Sequence, residues 1–154
     1  MLDTLMKFGA YRVEHFEYEY RADPSAFGFY IRGEKLEAGA YCRDAKSQLY
    51  AGLMLIHSKQ MMNHLRGIYV DVEALNNLQR PAYRQMMTDL LNGLFKRIFV
   101  LDESALLGTP AADEDMRQIY RIAGGFELLV CRNGECTPYC LFEQESFEKE
   151  LITE

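Results

Sequence analysis

From residue 27 onward, short runs of β-forming residues alternate with apolar stripes at helical spacing, which predicts an α/β domain with a largely parallel sheet. Phe27-Gly28-Phe29-Tyr30-Ile31-Arg32-Gly33 reads as the first strand, and a polar, glycine-containing loop follows it to Asp44. Asp44 is placed to cap a helix in which Leu49, Leu53 and Ile56 share one face. Gly67-Ile68-Tyr69-Val70-Asp71 is a second strand ending in a carboxylate, and a polar loop with Asn76 and Asn77 comes after it. Pro81 suits the first turn of a second helix, whose stripe is Tyr83, Met86, Met87, Leu90, Leu91 and Leu94, with Gly93 near its end. Arg97-Ile98-Phe99-Val100-Leu101 is apolar enough to be a central strand buried on both faces.

The loop over 102–110 leads to a short helix around 113–122, with Met116, Ile119 and Tyr120 on its inner face and Gly124-Gly125 at its end. A fourth strand covers 126–131. Asn133-Gly134 predicts a tight turn into an antiparallel strand from about 136 to 142, and Pro138 within it predicts an edge position. Phe16, Tyr18 and Tyr20 alternate with Glu17 and Glu19, the pattern of a half-buried strand added to the core. The expected organisation is an N-terminal arm over 1–26, the α/β domain over 27–142 and a tail over 143–154.

Composition narrows the picture. At 154 residues a compact fold buries roughly 70% of the surface its unfolded chain exposes, so neither a disulfide framework nor a structural metal is required. Lys+Arg number 17 against 23 Asp+Glu, and 17 − 23 gives −6, which argues against gripping nucleic acid with the whole surface. No apolar run approaches the roughly 18 residues of a membrane span, and residues 1–20 lack the charged start and apolar stretch of a secretory signal. A cytoplasmic protein without membrane contact is expected. Cys42, Cys131, Cys136 and Cys140 are too unevenly spaced for a secreted scaffold and include no C-x-x-C pair, so reduced packing cysteines are expected rather than zinc ligands. No cofactor is implied.

In order and spacing, several segments resemble the N-terminal catalytic domain of the serine recombinases, the resolvase and invertase family. Tyr30-Ile31-Arg32-Gly33-Glu34 stands where that family has Y-x-R-V-S, and Ser47-Gln48 stands where its S-x-E-A-Q helix start ends. Tyr69-Val70-Asp71 matches Y-x-D, and Arg80-Pro81-Ala82-Tyr83 matches R-P-G-F. Gly93-Leu94-Phe95-Lys96-Arg97-Ile98-Phe99-Val100 is similar to G-x-F-D-x-I-V-V. The run from Tyr30 to about Glu135 covers roughly two thirds of the chain. What the resemblance implies is a resolvase-like three-layer α/β domain: a mainly parallel sheet, helices on both faces and an antiparallel edge hairpin. An alternative register sets Tyr41-Cys42-Arg43-Asp44-Ala45 on the first motif, with Ala45 at the nucleophile; the Tyr30 register is preferred because 27–31 makes the better buried strand.

The departures from the family pattern carry the functional reading. In active members a serine hydroxyl attacks a DNA phosphate to form a phosphoserine link, and several arginines balance the phosphate charge. Here Glu34 holds the serine position, where a carboxylate repels phosphate at short range. The family's D-R-L-x-R segment falls on Ser104-Ala105-Leu106-Leu107-Gly108, so Ser104, Ala105 and Gly108 replace its acid and both arginines. Arg32 and Arg80 are what remains of the phosphate-gripping set, and Val72-Glu73-Ala74-Leu75 replaces a small S-G pair. Active members continue into a long interface helix and a DNA-reading module, whereas this chain ends at Glu154. The resemblance therefore implies a catalytically inactive domain, a binding or regulatory module associated with DNA recombination or a mobile element. An active recombinase or a second copy of the chain is the expected partner. Weak DNA binding through Arg32, Arg43, Arg80 and Arg84 is a further reading that the net charge disfavours.

A different chemistry is also legible. Strand ends would deliver Glu34, Asp71 and Asp102-Glu103 to one carboxyl edge, where open α/β sheets bind ligands, and such oxygens suit Mg²⁺ in a phosphoryl-transfer or nuclease site. The plainer use is structural: acids cap helices, and Arg32 and Arg80 serve as ion-pair partners for Glu34 or Asp71. Ser47 and Ser104 have no histidine beside them in sequence, and His15, His57 and His64 read as structural or surface residues. Met54, Met61, Met62, Met86 and Met87 read as core and interface filler. Met61-Met62 and the arm residues Phe16, Tyr18 and Tyr20 offer adaptable apolar surface, from which a weak homodimer is expected unless the arm folds back over it as an edge strand.

Overall fold

The computed structural model describes residues 11–16, 23–33, 43–72, 80–107, 109–132 and 134–139, the side chains of Arg43 and Asp44 excepted. Its strands are β1 (Tyr11–His15), β2 (Phe27–Gly33), β3 (Leu65–Val72), β4 (Arg97–Val100), β5 (Glu127–Arg132) and β6 (Glu135–Tyr139). Its helices are α1 (Arg43–Ser58), α2 (Pro81–Leu91) and α3 (Pro110–Ala123). All six strands join one mixed sheet in the order β1-β3-β2-β4-β5-β6. The four central strands run parallel, while β1 pairs antiparallel with β3 and β6 pairs antiparallel with β5.

Alternation along the strands divides the core into two layers. Phe27, Phe29, Ile31, Val70 and Phe99 face α1, which contributes Leu49 and Ile56. Tyr30, Tyr69, Ile98 and Val100 face the other way, against Tyr83, Met86 and Leu90 of α2 and Met116 of α3. Helices therefore cover both faces of the sheet, and β4 is buried on both sides as its unbroken apolar run predicts. The α1 layer is tight. A Cβ added at Gly52 would come within 2.1 Å of the Phe29 ring, so the absence of a side chain sets how closely this helix approaches the sheet.

Several expectations shift. The added strand lies at Tyr11–His15; Phe16 follows it and packs on the α1-side core, while Tyr18 and Tyr20 lie outside the described residues. Here Val13 supplies the inward apolar contact that the Tyr-Glu alternation suggested further on. Helix α1 starts at Arg43, one residue before Asp44. Helix α2 stops at Leu91, because Gly93 at φ 84° turns the chain; Leu91 and Leu94 are consequently exposed rather than part of the buried stripe. Helix α3 starts earlier than its apolar stripe indicates, with the Thr109 hydroxyl accepting from the Ala112 N–H and Pro110 in the first turn.

The cysteines need a correction. Cys131 and Cys136 are joined in a disulfide rather than being reduced packing thiols. The β5–β6 register places them directly opposite one another, with Cα atoms 3.9 Å apart. The available signal was the Asn-Gly turn read from the sequence: with Gly134 at φ 81°, the hairpin sets position 131 opposite 136. Asn76, Asn77, Cys42, Asn133, Cys140 and residues 141–142 lie outside the described residues.

Candidate functional site

The site grows from a helix end that cannot cap itself. Pro81 has no N–H, and Arg80, at the cap position of α2, makes no side-chain capping bond, so the amides of Ala82 and Tyr83 need acceptors from elsewhere. Asp71, near the end of β3 and 1% exposed, supplies them. Its Oδ1 accepts from Ala82 N at 3.0 Å and its Oδ2 from Tyr83 N at 2.9 Å. A carboxylate is favoured at a helix N-terminus by the partial positive charge there.

The same Oδ2 accepts from the Tyr30 hydroxyl at 2.8 Å. That hydroxyl accepts in turn from Arg80 Nη1 at 2.9 Å, and Nη1 also donates to the Ala105 carbonyl at 2.6 Å. The fully buried guanidinium lies 5.4 Å from the Tyr30 ring centroid and 5.3 Å from that of Tyr83, within cation–π range of both. Its Nε and Nη2 are buried without hydrogen-bond partners. Tyr83 is held at its far end by Asp115, to which its hydroxyl donates.

Burial dominates the electrostatics. It pushes the Asp71 carboxyl above the usual aspartate range, against the opposing pull of the Ala82 and Tyr83 amides, the Tyr30 hydroxyl and the Arg80 charge. Burial, reinforced by the neighbouring Asp71, holds the Tyr30 phenol well above its ordinary value. Burial also lowers Arg80, and it raises Tyr83 with help from the Asp115 hydrogen bond. The cluster ties β2, β3, α2 and the segment after β4 together.

The other sequence-derived candidates fall in different surroundings. Arg32 opposes Asp71 in the β2–β3 register, and its carbonyl accepts from Gln48 Nε2 at 2.9 Å. Glu34 and Gly108 lie outside the described residues. Ser104 and Ala105 belong to a 3-10 turn, Glu103–Ala105, just after β4. Asp102 caps that turn by accepting from Ser104 N at 2.9 Å, and it pairs with Arg132 at 3.2 Å, as Glu103 also does. The Ser104 amide bond holds the Asp102 carboxyl below its ordinary value. Asp71 and Asp102 are thus separated in role: one is sealed under α2, the other sits on an exposed turn. Among the described residues no three His, Cys, Asp or Glu side chains form a metal-binding group. Ala45, the nucleophile position of the alternative register, is buried against Gly33; Ser47 and Arg84 are exposed on their helices.

Two polar clusters had no clear trace in the sequence. Asp89 of α2 accepts from the Tyr69 hydroxyl at 2.6 Å and from Gln85 Nε2 at 3.0 Å, and lies 2.7 Å from His15 Nε2, which ties β1 to α2. The one available signal was an acid three residues after Met86 on an otherwise apolar stripe. Asp23 lies 2.7 Å from His64 Nδ1 and accepts from Arg66 Nη2 at 2.9 Å; no local pattern joins residues 41 and 43 positions apart.

Fold and site together define an α/β domain with a mixed six-stranded sheet, in which a strand-borne carboxylate caps a helix on the neighbouring layer. Protein-family models, curated proteins and solved structures yield no match to the chain. No helix among the described residues is long and apolar enough to cross a membrane.

Proposed function

We propose that the chain is a resolvase-like domain that has kept the fold and lost the cleavage chemistry, and that it acts as a binding or regulatory module in DNA recombination. One observation carries the reading. Tyr30, Asp71 and Arg80 come from three separate motifs of the resemblance, lie up to 50 residues apart, and form one hydrogen-bonded chain beneath α2. The turn expected to carry the family's acid and arginines lies beside this cluster, since the Ala105 carbonyl accepts from Arg80, yet Ser104 and Ala105 bring neither charge. Phosphate transfer is left without a nucleophile and without most of its charge compensation.

The metal-dependent alternative has weaker support. Both oxygens of Asp71 are engaged in internal hydrogen bonds, and Asp102 is engaged with the Ser104 amide and Arg132.

The experiment is incubation of the full chain, and of Glu34→Ser, with supercoiled DNA carrying recombination sites, followed by denaturing gels and mass spectrometry. Neither protein should nick DNA or form an adduct, because a restored serine still lacks the arginines that act with it as a unit. A covalent adduct on any serine overturns the inactive reading. The regulatory half is tested by titrating the chain into reactions of intact serine recombinases; unchanged rates together with no cross-linked heteromer would remove it.

A further inference from the structure

The outer edge of β1 carries information that its pairing with β3 does not use. Phe16 N donates to the Arg66 carbonyl at 3.0 Å, extending the register in which Tyr11 opposes Asp71 and His15 opposes Gly67. Hydrogen-bonded pairs in an antiparallel ladder recur at every second residue. The main-chain groups of Arg12, Glu14 and Phe16 therefore turn toward β3, and those of Tyr11, Val13 and His15 turn outward. Strand β1 ends the sheet, and no described strand pairs with that outer edge. The segment contains neither proline nor glycine, so it is a ready template for a further strand.

We infer that this edge pairs antiparallel with β1 of a second copy, with Val13 on the two-fold axis, joining two sheets into one. Self-complementarity selects both the occupant and the register. With Val13 opposite the partner's Val13, Tyr11 meets the partner's His15, so outward-turned groups meet outward-turned groups and every such pair exchanges both of its hydrogen bonds. On the face shared with Phe16, Arg12 then opposes the partner's Glu14 and Glu14 opposes the partner's Arg12. Arg12 and Glu14 are already within 2.9 Å of each other inside one strand, which places their charges on the same face. Sliding the pairing by two residues in either direction sets Arg12 against Arg12 or Glu14 against Glu14, and like charges directly opposite are unfavourable. A slide by one residue sets outward groups against groups already bonded to β3. Tyr11–His15 thus forms an added strand on β3, and among the described residues its outer side is a new open edge. Isologous pairing of this kind is how a two-fold dimer uses one patch twice.

The test uses the full chain and four proteins: wild type, Val13→Pro, Arg12→Glu, and the swap Arg12→Glu with Glu14→Arg. Proline at 13 removes an outward donor and no bond to β3, and edge strands tolerate it there. Light scattering over a concentration series should show the wild-type mass rising from 17.9 kDa toward twice that value. Val13→Pro should remain monomeric across the whole concentration series, with circular dichroism showing that the chain is still folded. Arg12→Glu should weaken association about tenfold, and the charge swap should restore it. Amide exchange of Tyr11, Val13 and His15 should slow as concentration rises, while Arg12 and Glu14 stay protected throughout. A wild type that is monomeric across the series overturns the inference. So does a dimer that survives Val13→Pro with its outward amides exchanging freely. Outward amides protected at the lowest concentration would show that the chain's own residues fill the edge, and would overturn it equally.

Discussion

Replacing Tyr30 by Phe removes one oxygen atom from the centre of the buried cluster and leaves the ring volume unchanged, so no cavity contributes to the result. That hydroxyl donates to Asp71 and accepts from Arg80, bonds of 2.8 and 2.9 Å that both involve a charged group. Hydrogen bonds to charged groups contribute roughly 1.5–3 kcal/mol each. Asp71 keeps its two amide donors after the change, whereas Arg80, which already has two buried nitrogens without partners, is left with a single bond to Ala105. The expected loss is about 2–4 kcal/mol, which for a chain of this length lowers the thermal midpoint by roughly 5–15 °C. Urea unfolding followed by circular dichroism, alongside a thermal scan, measures both. Tyr50→Phe serves as the reference, because Tyr50 is 55% exposed and its loss of a hydroxyl should stay within about 0.5 kcal/mol. If Tyr30→Phe is as stable as that reference, the hydroxyl does not hold the carboxylate and guanidinium together, and the account of the site is wrong.

Gly52→Ala should destabilise by about 1–2 kcal/mol, because overpacking against the Phe29 ring outweighs the roughly 1 kcal/mol that alanine adds to a helix interior; a stabilised variant in chemical denaturation would show that the α1 layer has room to move. Phe99→Ala should cost about 3–5 kcal/mol, since Phe99 is fully buried with ring centroids of Phe29 and Phe27 at 5.1 and 5.8 Å; a smaller loss would mean that α1 collapses into the space. For Asp71 the folded carboxyl titrates above its unfolded value of about 3.9. The folded state therefore binds more protons in that window, and this group's contribution is complete below the unfolded value and is lost as pH rises through the folded one. Stability of wild type relative to Asp71→Asn, measured from pH 4 upward, should fall with rising pH and then level off; a gap that widens with pH would reverse the assignment.

How much of this was legible in the chain differs by kind of interaction. Periodicity located the central strands and three helices because burial of one face imposes its spacing on the sequence itself, and β4 declared its central place by having no polar face. Order and spacing singled out Arg80 beside Arg32, and Asp71 beside Glu34 and Asp102, while Tyr30 entered only as a motif and strand residue. What they do was not readable, because a hydrogen-bonded chain through residues from β2, β3 and α2 exists only once parallel pairing stacks those elements and brings α2 to the end of β3. The disulfide is of the same kind: Cys131 and Cys136 became partners only when the turn at Gly134 fixed the register of an edge hairpin. Strand β1 shows the limit most plainly. Its residues alternate too briefly to stand out, and what placed them was an edge of β3 left open by the strand order, together with Asp89 presented by α2 to His15. Sequence determined the buried faces of the strands and helices up to the helix end that exposes Leu91 and Leu94, since that depends on side-chain chemistry and a local repeat. Tertiary structure decided which of them meet, since pairing across a sheet depends on strand order and register that no local pattern encodes.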